Sequence, residues 1–218
     1  MLQPVLRPKA VVFDVGNVLL DWNPAYLYEK LIPDAEERTW FLTHVVTLGW
    51  HLAQDRGRSC KDGIAELTKR FPGSAQLIAA FYERWLETIR GPIEGTVAVM
   101  EALRDEGVPV HAITNFSAEL WPLTARAYPF LGHFGEAVVS GEVGFIKPDP
   151  RIFDVLVART GLAPDAMVFI DDNADNVDAA CQLGFNAMRF TTPEALASDL
   201  EALGLPVSAA AADAPVQA

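Results

Sequence analysis

Carboxylate side chains follow two apolar runs of the sequence, at the points where buried strands would end. Asp14 comes directly after residues 10–13, and the adjacent pair Asp171 and Asp172 comes after residues 167–170. Because ligands of open α/β sheets bind at the carboxyl ends of the strands, we expect these acids to lie together. Three such carboxylates would repel one another unless a cation bound there. The pattern therefore predicts a cation site, although an Asp-Asp pair by itself is more typical of a helix N-terminal cap.

Two further polar features stand where an anion could bind. Thr114 and Asn115 follow the apolar run of residues 108–113 and precede an expected helix, whose N-terminus is a natural anion site. Lys147 precedes Pro148 in a loop, where a lysine is ordinarily exposed. Neither feature is specific when it is taken alone.

The elements that must position these residues alternate between strand and helix. The predicted buried strands are residues 10–13, 108–113, 137–139, 167–170 and 187–190. The predicted helices, each followed by a glycine typical of a helix C-terminus, are residues 96–106, 149–160 and 174–183. This alternation predicts an α/β fold, a doubly wound, three-layer, Rossmann-like parallel sheet.

The stretch between the first strand and Pro92 is too long for a structureless loop. It carries helical patterns at residues 25–32, 36–46, 59–71 and 74–89. We therefore predict an α/β core of residues 1–21 and 92–204, with a helical cap of residues 22–91 inserted into it. The Ala-rich residues 205–218 lack periodicity and are predicted to form a disordered tail.

Four short motifs, in order along the chain, resemble those of the haloacid dehalogenase-like superfamily. They are Phe13-Asp14-Val15-Gly16-Asn17-Val18-Leu19, then Thr114-Asn115, then Lys147-Pro148, and finally Asp171-Asp172-Asn173-Ala174-Asp175-Asn176. Any one of them is weak evidence, but four in register are specific. The first and last are similar to the forms of a bacterial subgroup that includes a glucose-1-phosphate phosphatase.

The resemblance implies a Mg²⁺-dependent hydrolase of a small phosphorylated metabolite, with a sugar phosphate favoured. Asp14 would be the nucleophile and would form an aspartyl-phosphate that water then hydrolyses. Mg²⁺ would bind Asp14, the backbone carbonyl of Gly16 and Asp172, with Asp171 in an outer or water-mediated position.

The other motifs imply roles around the phosphoryl group. Thr114 and the backbone amide of Asn115 would donate hydrogen bonds to phosphate, and Lys147 would contact both the nucleophile and the transferring group. Asn176, one turn into the following helix, would orient the acidic loop.

The expected cap contains a segment, residues 50–58, that aligns loosely with a substrate-facing loop of the subgroup. Trp50, His51 and Arg56 are the residues there that could contact a leaving group. The alternative for Trp50 is a core position, and the alternative for Arg56 is a solvated surface position.

The sequence departs from the usual phosphatase pattern of this superfamily at one position. Most such phosphatases carry a second aspartate two residues after the nucleophile, which acts as general acid and base. Gly16 occupies that position. A glycine can offer its carbonyl to a metal but cannot transfer a proton, so the source of the proton stays open.

Two other functions compete with a phosphatase. In a 2-haloacid dehalogenase, Asp14 would attack carbon without a metal, and the acidic pair Asp171 and Asp172 would have no role. A non-catalytic protein that binds a phosphate ligand is the other alternative. The net charge of −12 argues against nucleic-acid binding. No apolar run is long enough to span a bilayer, and we predict a cytoplasmic protein without membrane contacts.

Overall fold

The computed structural model describes residues 7–207. Within them the chain forms seven strands: β1 (Ala10–Phe13), β2 (Leu20–Trp22), β3 (Ile89–Pro92), β4 (Val110–Thr114), β5 (Ala137–Val139), β6 (Met167–Asp171) and β7 (Asn186–Arg189). The helices are α1 (Ala25–Leu31), α2 (Ala35–His44), α3 (Leu48–Asp55), α4 (Cys60–Arg70), α5 (Ala75–Glu83), α6 (Glu94–Asp105), α7 (Trp121–Ala127), α8 (Ser140–Val143), α9 (Pro150–Thr160), α10 (Ala174–Gln182) and α11 (Pro193–Ala202).

Five strands form one parallel sheet in the order β5-β4-β1-β6-β7. Alternate residues of β1 point to opposite faces, as the pleat of a strand requires. Val11 and Phe13 pack in a cluster with side chains of α6 and α11, whereas Ala10 and Val12 pack with side chains of α9 and α10. The sheet therefore has helices on both faces, which confirms the predicted three-layer α/β fold.

A small antiparallel ribbon joins this sheet to a helical segment. Strands β2 and β3 pair with each other, with Asp21 opposite Gly91, and residues 23–88 lie between them. Helices α1, α2, α4 and α5 lie where helical patterns were predicted. Helix α3 differs from the expectation, because residues 50–58 were aligned with a substrate-facing loop and no helix was predicted there. Its start is fixed by Thr47, whose hydroxyl accepts a hydrogen bond from the backbone N–H of Trp50.

The helical segment packs directly against loops that follow β1 and β4. Trp85 lies edge-on to Phe116 at 5.4 Å, and its indole N–H donates to Thr124 Oγ1 at 3.0 Å. The backbone N–H of Cys60 donates to Glu119 Oε1 at 3.1 Å. One apolar cluster, which includes Val15 from the sheet side, runs through both parts. The segment is therefore held over the carboxyl edge of the sheet.

The C-terminal part of the described chain differs from the predicted tail. Leu205 and Val207 are buried against residues of α6 and α11. Their side chains complete the apolar layer on that face, so residues 205–207 belong to the core. The rest of the predicted tail, residues 208–218, lies outside the described residues. Among the described helices, none has the length and apolarity needed to cross a membrane.

Candidate active site

The three predicted acids lie at the carboxyl edge of the sheet. Asp14 directly follows β1, Asp171 is the last residue of β6, and these two strands pair in register with Phe13 opposite Ile170. One carboxylate oxygen from each of Asp14, Asp171 and Asp172 lies within 4.8 Å of the others. Parallel pairing of the two strands therefore brings together residues that are far apart in the sequence.

Lys147 lies between two of these carboxylates rather than in solvent. Its Nζ is 2.8 Å from Asp14 Oδ1 and 2.7 Å from Asp171 Oδ2, and only 2% of the residue is exposed. The side chain of Asn115 holds the lysine backbone in place. Its Oδ1 accepts from Lys147 N–H at 2.7 Å, and its Nδ2 donates to Lys147 O at 3.1 Å.

The carboxylate of Asp171 is fully occupied by protein donors. Its Oδ1 accepts from Asn173 N–H at 2.9 Å and from Asn176 Nδ2 at 3.0 Å, and its Oδ2 accepts from Lys147. In contrast, Asp14 Oδ2 and the Asp172 carboxylate accept no hydrogen bond from another residue within 7–207. Asn176 thus holds the carboxylate of Asp171, which binds the lysine, while Asp14 and Asp172 keep oxygens available for a ligand.

Burial raises the pKa of Asp14, the positive charge of Lys147 opposes this change, and the charge of Asp171 adds to it. Burial also raises the pKa of Asp172, with a further contribution from Asp171. For Lys147, burial acts to lower the pKa, but the two carboxylates prevail and the pKa is raised. One ammonium thus faces three acids, and a bound cation would balance the remaining negative charge.

A cavity of about 210 Å³ opens above these residues. Asp14, Asp172, Lys147 and the backbone of Gly16 form its floor. Its walls are largely apolar and come from both parts of the chain: Leu20, Trp22, Leu48, Leu52, Trp85, Ile89 and Phe116. Asn17, His51 and Asp55 are polar residues that also border it.

His51 borders the cavity from α3, inside an aromatic cluster. Its ring stacks on Trp22 and on Trp85, each with centroids 5.6 Å apart, and its Nδ1 lies 3.1 Å from Tyr82 Oη. Burial lowers the pKa of His51 to about 4. Its Nε2 is 3.8 Å from Asp55 Oδ2, one helical turn further on.

Three predicted ligand contacts are placed elsewhere by the structure. Trp50 is buried inside the helical segment, where its indole N–H donates to Gly63 O at 3.0 Å. Arg56 is exposed, and Thr114 is buried. None of Trp50, Arg56 and Thr114 borders the cavity. The alternatives of a core tryptophan and a solvated arginine are the ones observed.

The helix N-terminus expected after Asn115 is also absent at that point. Helix α7 begins only at Trp121, and it is seven residues long. The loop before it is tied to α8, because Phe116 N–H donates to Ser140 Oγ and Gly141 N–H donates to Phe116 O. These bonds hold the loop that follows Asn115, whose side chain positions Lys147.

Sequence reasoning missed Asp55, Trp22 and Trp85 as residues of this site. The available signal was the spacing of His51 and Asp55, which are four residues apart and so share one face of a helix. Asn17, inside the first motif, adopts a left-handed backbone with φ of 56° and borders the cavity. Asparagine tolerates that conformation better than most residues.

Comparison with known proteins agrees with this geometry. The sequence model of the family of haloacid dehalogenase-like hydrolases matches residues 8–184 of this chain. The chain belongs to this family. The sequence resemblance to the haloacid dehalogenase-like hydrolases is therefore confirmed at the family level, and the chain is a hydrolase of that family.

Several relatives in the family have different activities. The mouse acyl-CoA dehydrogenase family member 10 is 26% identical over 91% of this chain, which spans only 19% of that protein. The sesquiterpene phosphatase astK of Aspergillus oryzae is 25% identical over 89% of this chain and 96% of its own length. The (S)-2-haloacid dehalogenase 4A of Burkholderia cepacia is 27% identical over 41% of this chain and 39% of its own.

Solved structures of the family share the fold. A predicted HAD-like hydrolase from Porphyromonas gingivalis has a TM-score of 0.70 at 23% identity, over 90% of this chain and 98% of that one. A HAD family enzyme from Bacteroides thetaiotaomicron, crystallised with magnesium and inorganic phosphate, has a TM-score of 0.64 at 20% identity, over 85% of this chain and 95% of that one. At sequence identities of 23% and 20%, these two structures show a shared fold and carry no conclusion about activity.

Proposed function

We propose that this chain is a Mg²⁺-dependent phosphomonoester hydrolase that forms an aspartyl-phosphate on Asp14. The observation that carries the proposal is the state of the Asp14 carboxylate. Its Oδ1 is held 2.8 Å from Lys147 Nζ, its Oδ2 accepts no hydrogen bond from the described residues, and Asp14 borders the cavity. A carboxylate fixed through one oxygen and free at the other is positioned to attack phosphorus.

The reaction has two steps. Asp14 Oδ2 forms a bond to phosphorus as the bond to the leaving oxygen breaks, and that oxygen departs with the electron pair and a proton. Water then attacks phosphorus and breaks the bond to Asp14, which releases inorganic phosphate. Lys147 stabilises the negative charge on the phosphoryl oxygens and keeps Asp14 oriented, because it is bound on its other side to Asp171.

The donor set fits Mg²⁺. Asp14, Asp172 and the carbonyl of Gly16 are all oxygen donors that border the cavity, and Mg²⁺ prefers a few such ligands completed by water and substrate oxygens. When bound, the ion would neutralise phosphoryl oxygens and align them for in-line attack. Asp171 would remain outside the first coordination sphere, since its oxygens already accept from Lys147, Asn173 and Asn176.

The side chains that line the cavity walls indicate which class of phosphate ester would fit. Resemblance to the subgroup favours a sugar phosphate, whereas the aromatic and aliphatic residues of these walls favour an apolar alcohol. A second cavity of about 270 Å³ shares Trp22, Leu48 and His51 with the first and is also bordered by Leu42 and Phe81. We therefore expect phosphate esters of aromatic or aliphatic alcohols to be better substrates than sugar phosphates. Similarity to a sesquiterpene phosphatase supports this expectation.

The helical segment, residues 22–91, would act as a cap that excludes water during the reaction. It supplies Trp22, Trp85 and His51 to the cavity, while the sheet supplies the floor. Exclusion of water strengthens electrostatic interactions in a site of this kind. The paired junctions at β2 and β3 give the cap two adjacent connections to the core.

The decisive experiment measures phosphate release from 4-nitrophenyl phosphate, a sugar phosphate and a prenyl phosphate, with Mg²⁺ or with chelator. We expect turnover only with Mg²⁺, with the prenyl ester preferred to the sugar ester, and none in Asp14→Asn. Halide release from 2-chloropropionate in chelator would instead establish the dehalogenase. Absence of turnover on a broad panel of phosphate esters would favour a non-catalytic binding protein.

A further inference from the structure

Asp55, the last residue of α3, is a buried acid that borders the same cavity as Asp14. Only 3% of the residue is exposed, and Oδ1 is a buried atom without a hydrogen-bond partner among the described residues. The closest basic atom recorded is His51 Nε2, at 3.8 Å from Oδ2, which is beyond hydrogen-bond distance. Burial of an unpaired polar group is costly, so such a group is expected to have a function.

The reaction proposed above lacks a proton donor at the usual position. Gly16 has no side chain, so the leaving oxygen must receive its proton from elsewhere. The titratable side chains that border the cavity are Asp14, Asp172, Lys147, His51 and Asp55. The first three form the floor, where the proposed reaction would place the phosphoryl group. His51 and Asp55 belong to α3, on the side of the cavity where the leaving group would lie.

We propose that Asp55 is the general acid and base of this enzyme, a catalytic residue that replaces the missing aspartate; the proposal rests on the proposed phosphatase function. As the bond between phosphorus and the leaving oxygen breaks, that oxygen takes the carboxyl proton of Asp55, and Asp55 becomes a carboxylate. In the second step the Asp55 carboxylate accepts a proton from the attacking water. Asp14 is released, phosphate departs and the Asp55 carboxyl is restored.

Burial leaves a substantial fraction of Asp55 protonated near neutral pH. It raises the pKa of Asp55 to about 7, which is the range in which a general acid works best. His51, Cys60 and Tyr82 are uncharged at that pH, because burial lowers the pKa of His51 to about 4, and raises the pKa of Cys60 to about 11 and that of Tyr82 further still. Of the two arginines that follow Asp55, Arg56 is exposed, and Arg58 donates to Gln54, Glu66 and Trp50 O.

His51 is a weaker candidate for this role. Its Nδ1 is directed at Tyr82 Oη, and a ring that stays neutral to about pH 4 has no readily released proton at neutral pH. Its ring instead stacks on Trp22 and Trp85, and these contacts hold α3 at the side of the cavity.

The test is a leaving-group series on Asp55→Asn, run with Mg²⁺ beside the wild type. With an alkyl phosphate, whose leaving group needs a proton, we expect kcat/KM, which reports the phosphoryl-transfer step, to fall about 10²–10³-fold. With 4-nitrophenyl phosphate, whose leaving group departs unaided, the change in kcat/KM should stay below about 10-fold. Asp105→Asn, at an exposed position of α6, is the matched control and should leave both values unchanged. Equal losses of kcat/KM on both esters, or an unchanged kcat/KM on the alkyl ester, would overturn the proposal.

A rescue variant sharpens the result. A Cβ added at Gly16 has no atom within 4 Å, and Gly16 is not among the glycines with positive φ. An aspartate can therefore be placed there without steric conflict. We expect Gly16→Asp to restore at least about 10-fold of the alkyl-phosphate rate to Asp55→Asn, as a second positioned acid should. A double variant that still binds Mg²⁺ but is no faster than Asp55→Asn would overturn the proposal.

The wild type provides a readout that requires no variant. If Asp55 donates the proton, kcat/KM for the alkyl ester should decline as pH rises through about 7, and kcat/KM for the nitrophenyl ester should not. Identical pH profiles for the two esters would overturn the assignment. Failure of the proposed function is distinct, because then the wild type would not hydrolyse either ester and Asp14→Asn would have no effect.

Discussion

Lys147 Nζ lies 2.7 Å from Asp171 Oδ2, and at most 1% of either side chain is exposed. The same ammonium also binds Asp14. Among the described residues, no other positive charge forms an ion pair with Asp14 or Asp171. Removing one partner of a buried pair typically costs about 3–5 kcal/mol, because the other charge is left without compensation. The lysine is thus required both for the site and for the stability of the fold around it.

We expect Lys147→Met to lower the free energy of unfolding by about 3–5 kcal/mol without divalent cations, and to abolish turnover. The matched control is Lys30→Met, since Lys30 pairs with Glu87 at the surface, where such a pair contributes about 1 kcal/mol at most. Urea unfolding monitored by circular dichroism measures both. Equal midpoints for Lys147→Met and the wild type would contradict the importance of the buried pair.

Asp14→Asn should reduce turnover at least about 10⁴-fold, because an amide cannot act as the nucleophile. Folding should be preserved. Lys147 keeps its partner Asp171, and the repulsion between Asp14 and Asp171 is removed, so the unfolding midpoint should be unchanged or higher. Steady-state kinetics and urea unfolding check the two parts. Substantial turnover by a pure sample of this variant would exclude the covalent mechanism.

Mg²⁺ should stabilise the folded chain even without substrate. A ligand at a hundred-fold excess over its Kd contributes about 2.7 kcal/mol, which corresponds to a rise in Tm of about 5–10 °C for a chain of this size. Asp172→Asn removes one oxygen donor and should lose most of that shift. Asp178→Asn, at an exposed position on α10, should keep it. Thermal unfolding with Mg²⁺ or chelator provides the measurement, and an equal shift in both variants would exclude Asp172 as a ligand.

The buried acid Asp55 should make stability depend on pH. Its pKa is raised from 3.8 to about 7 by burial, so the unfolded chain releases this proton first. Stability from Asp55 is therefore complete below about pH 4 and is lost as pH rises through about 7. His51 acts in the opposite direction, because its pKa falls from 6.5 to about 4 and stability is lost as pH drops through that range.

Comparison of the wild type with Asp55→Asn isolates the acid, since the contribution of His51 is common to both. We expect the variant to gain stability relative to the wild type between pH 4 and pH 7.5, on the order of a few kcal/mol. Urea unfolding at several pH values measures the difference. A difference that stays constant with pH would show that Asp55 has the same pKa in the folded and unfolded chains.

Local sequence patterns were sufficient to predict the architecture and to place the acids of the cavity floor at strand ends. Apolar runs followed by acids at Asp14 and Asp171 are local patterns, and the parallel pairing of β1 with β6 brings them together. The motif around Lys147 was also recognised in the sequence, but the burial of the lysine between two carboxylates was not predicted. These predictions succeeded because strand period and strand-end position follow from the order of residues along the chain.

The residues that cover this floor could not be predicted, because they are selected by contacts between separate helices. Whether Trp50 or His51 faces the cavity depends on the rotation of α3, which is fixed by packing against Phe81, Tyr82 and Trp85. Burial of Thr114 at the end of β4 could not be predicted from its position in the sequence either. The isolation of Asp55 from charged partners likewise depends on side chains contributed by separate helices. Such contacts join residues distant in sequence, and a local pattern carries no information about them.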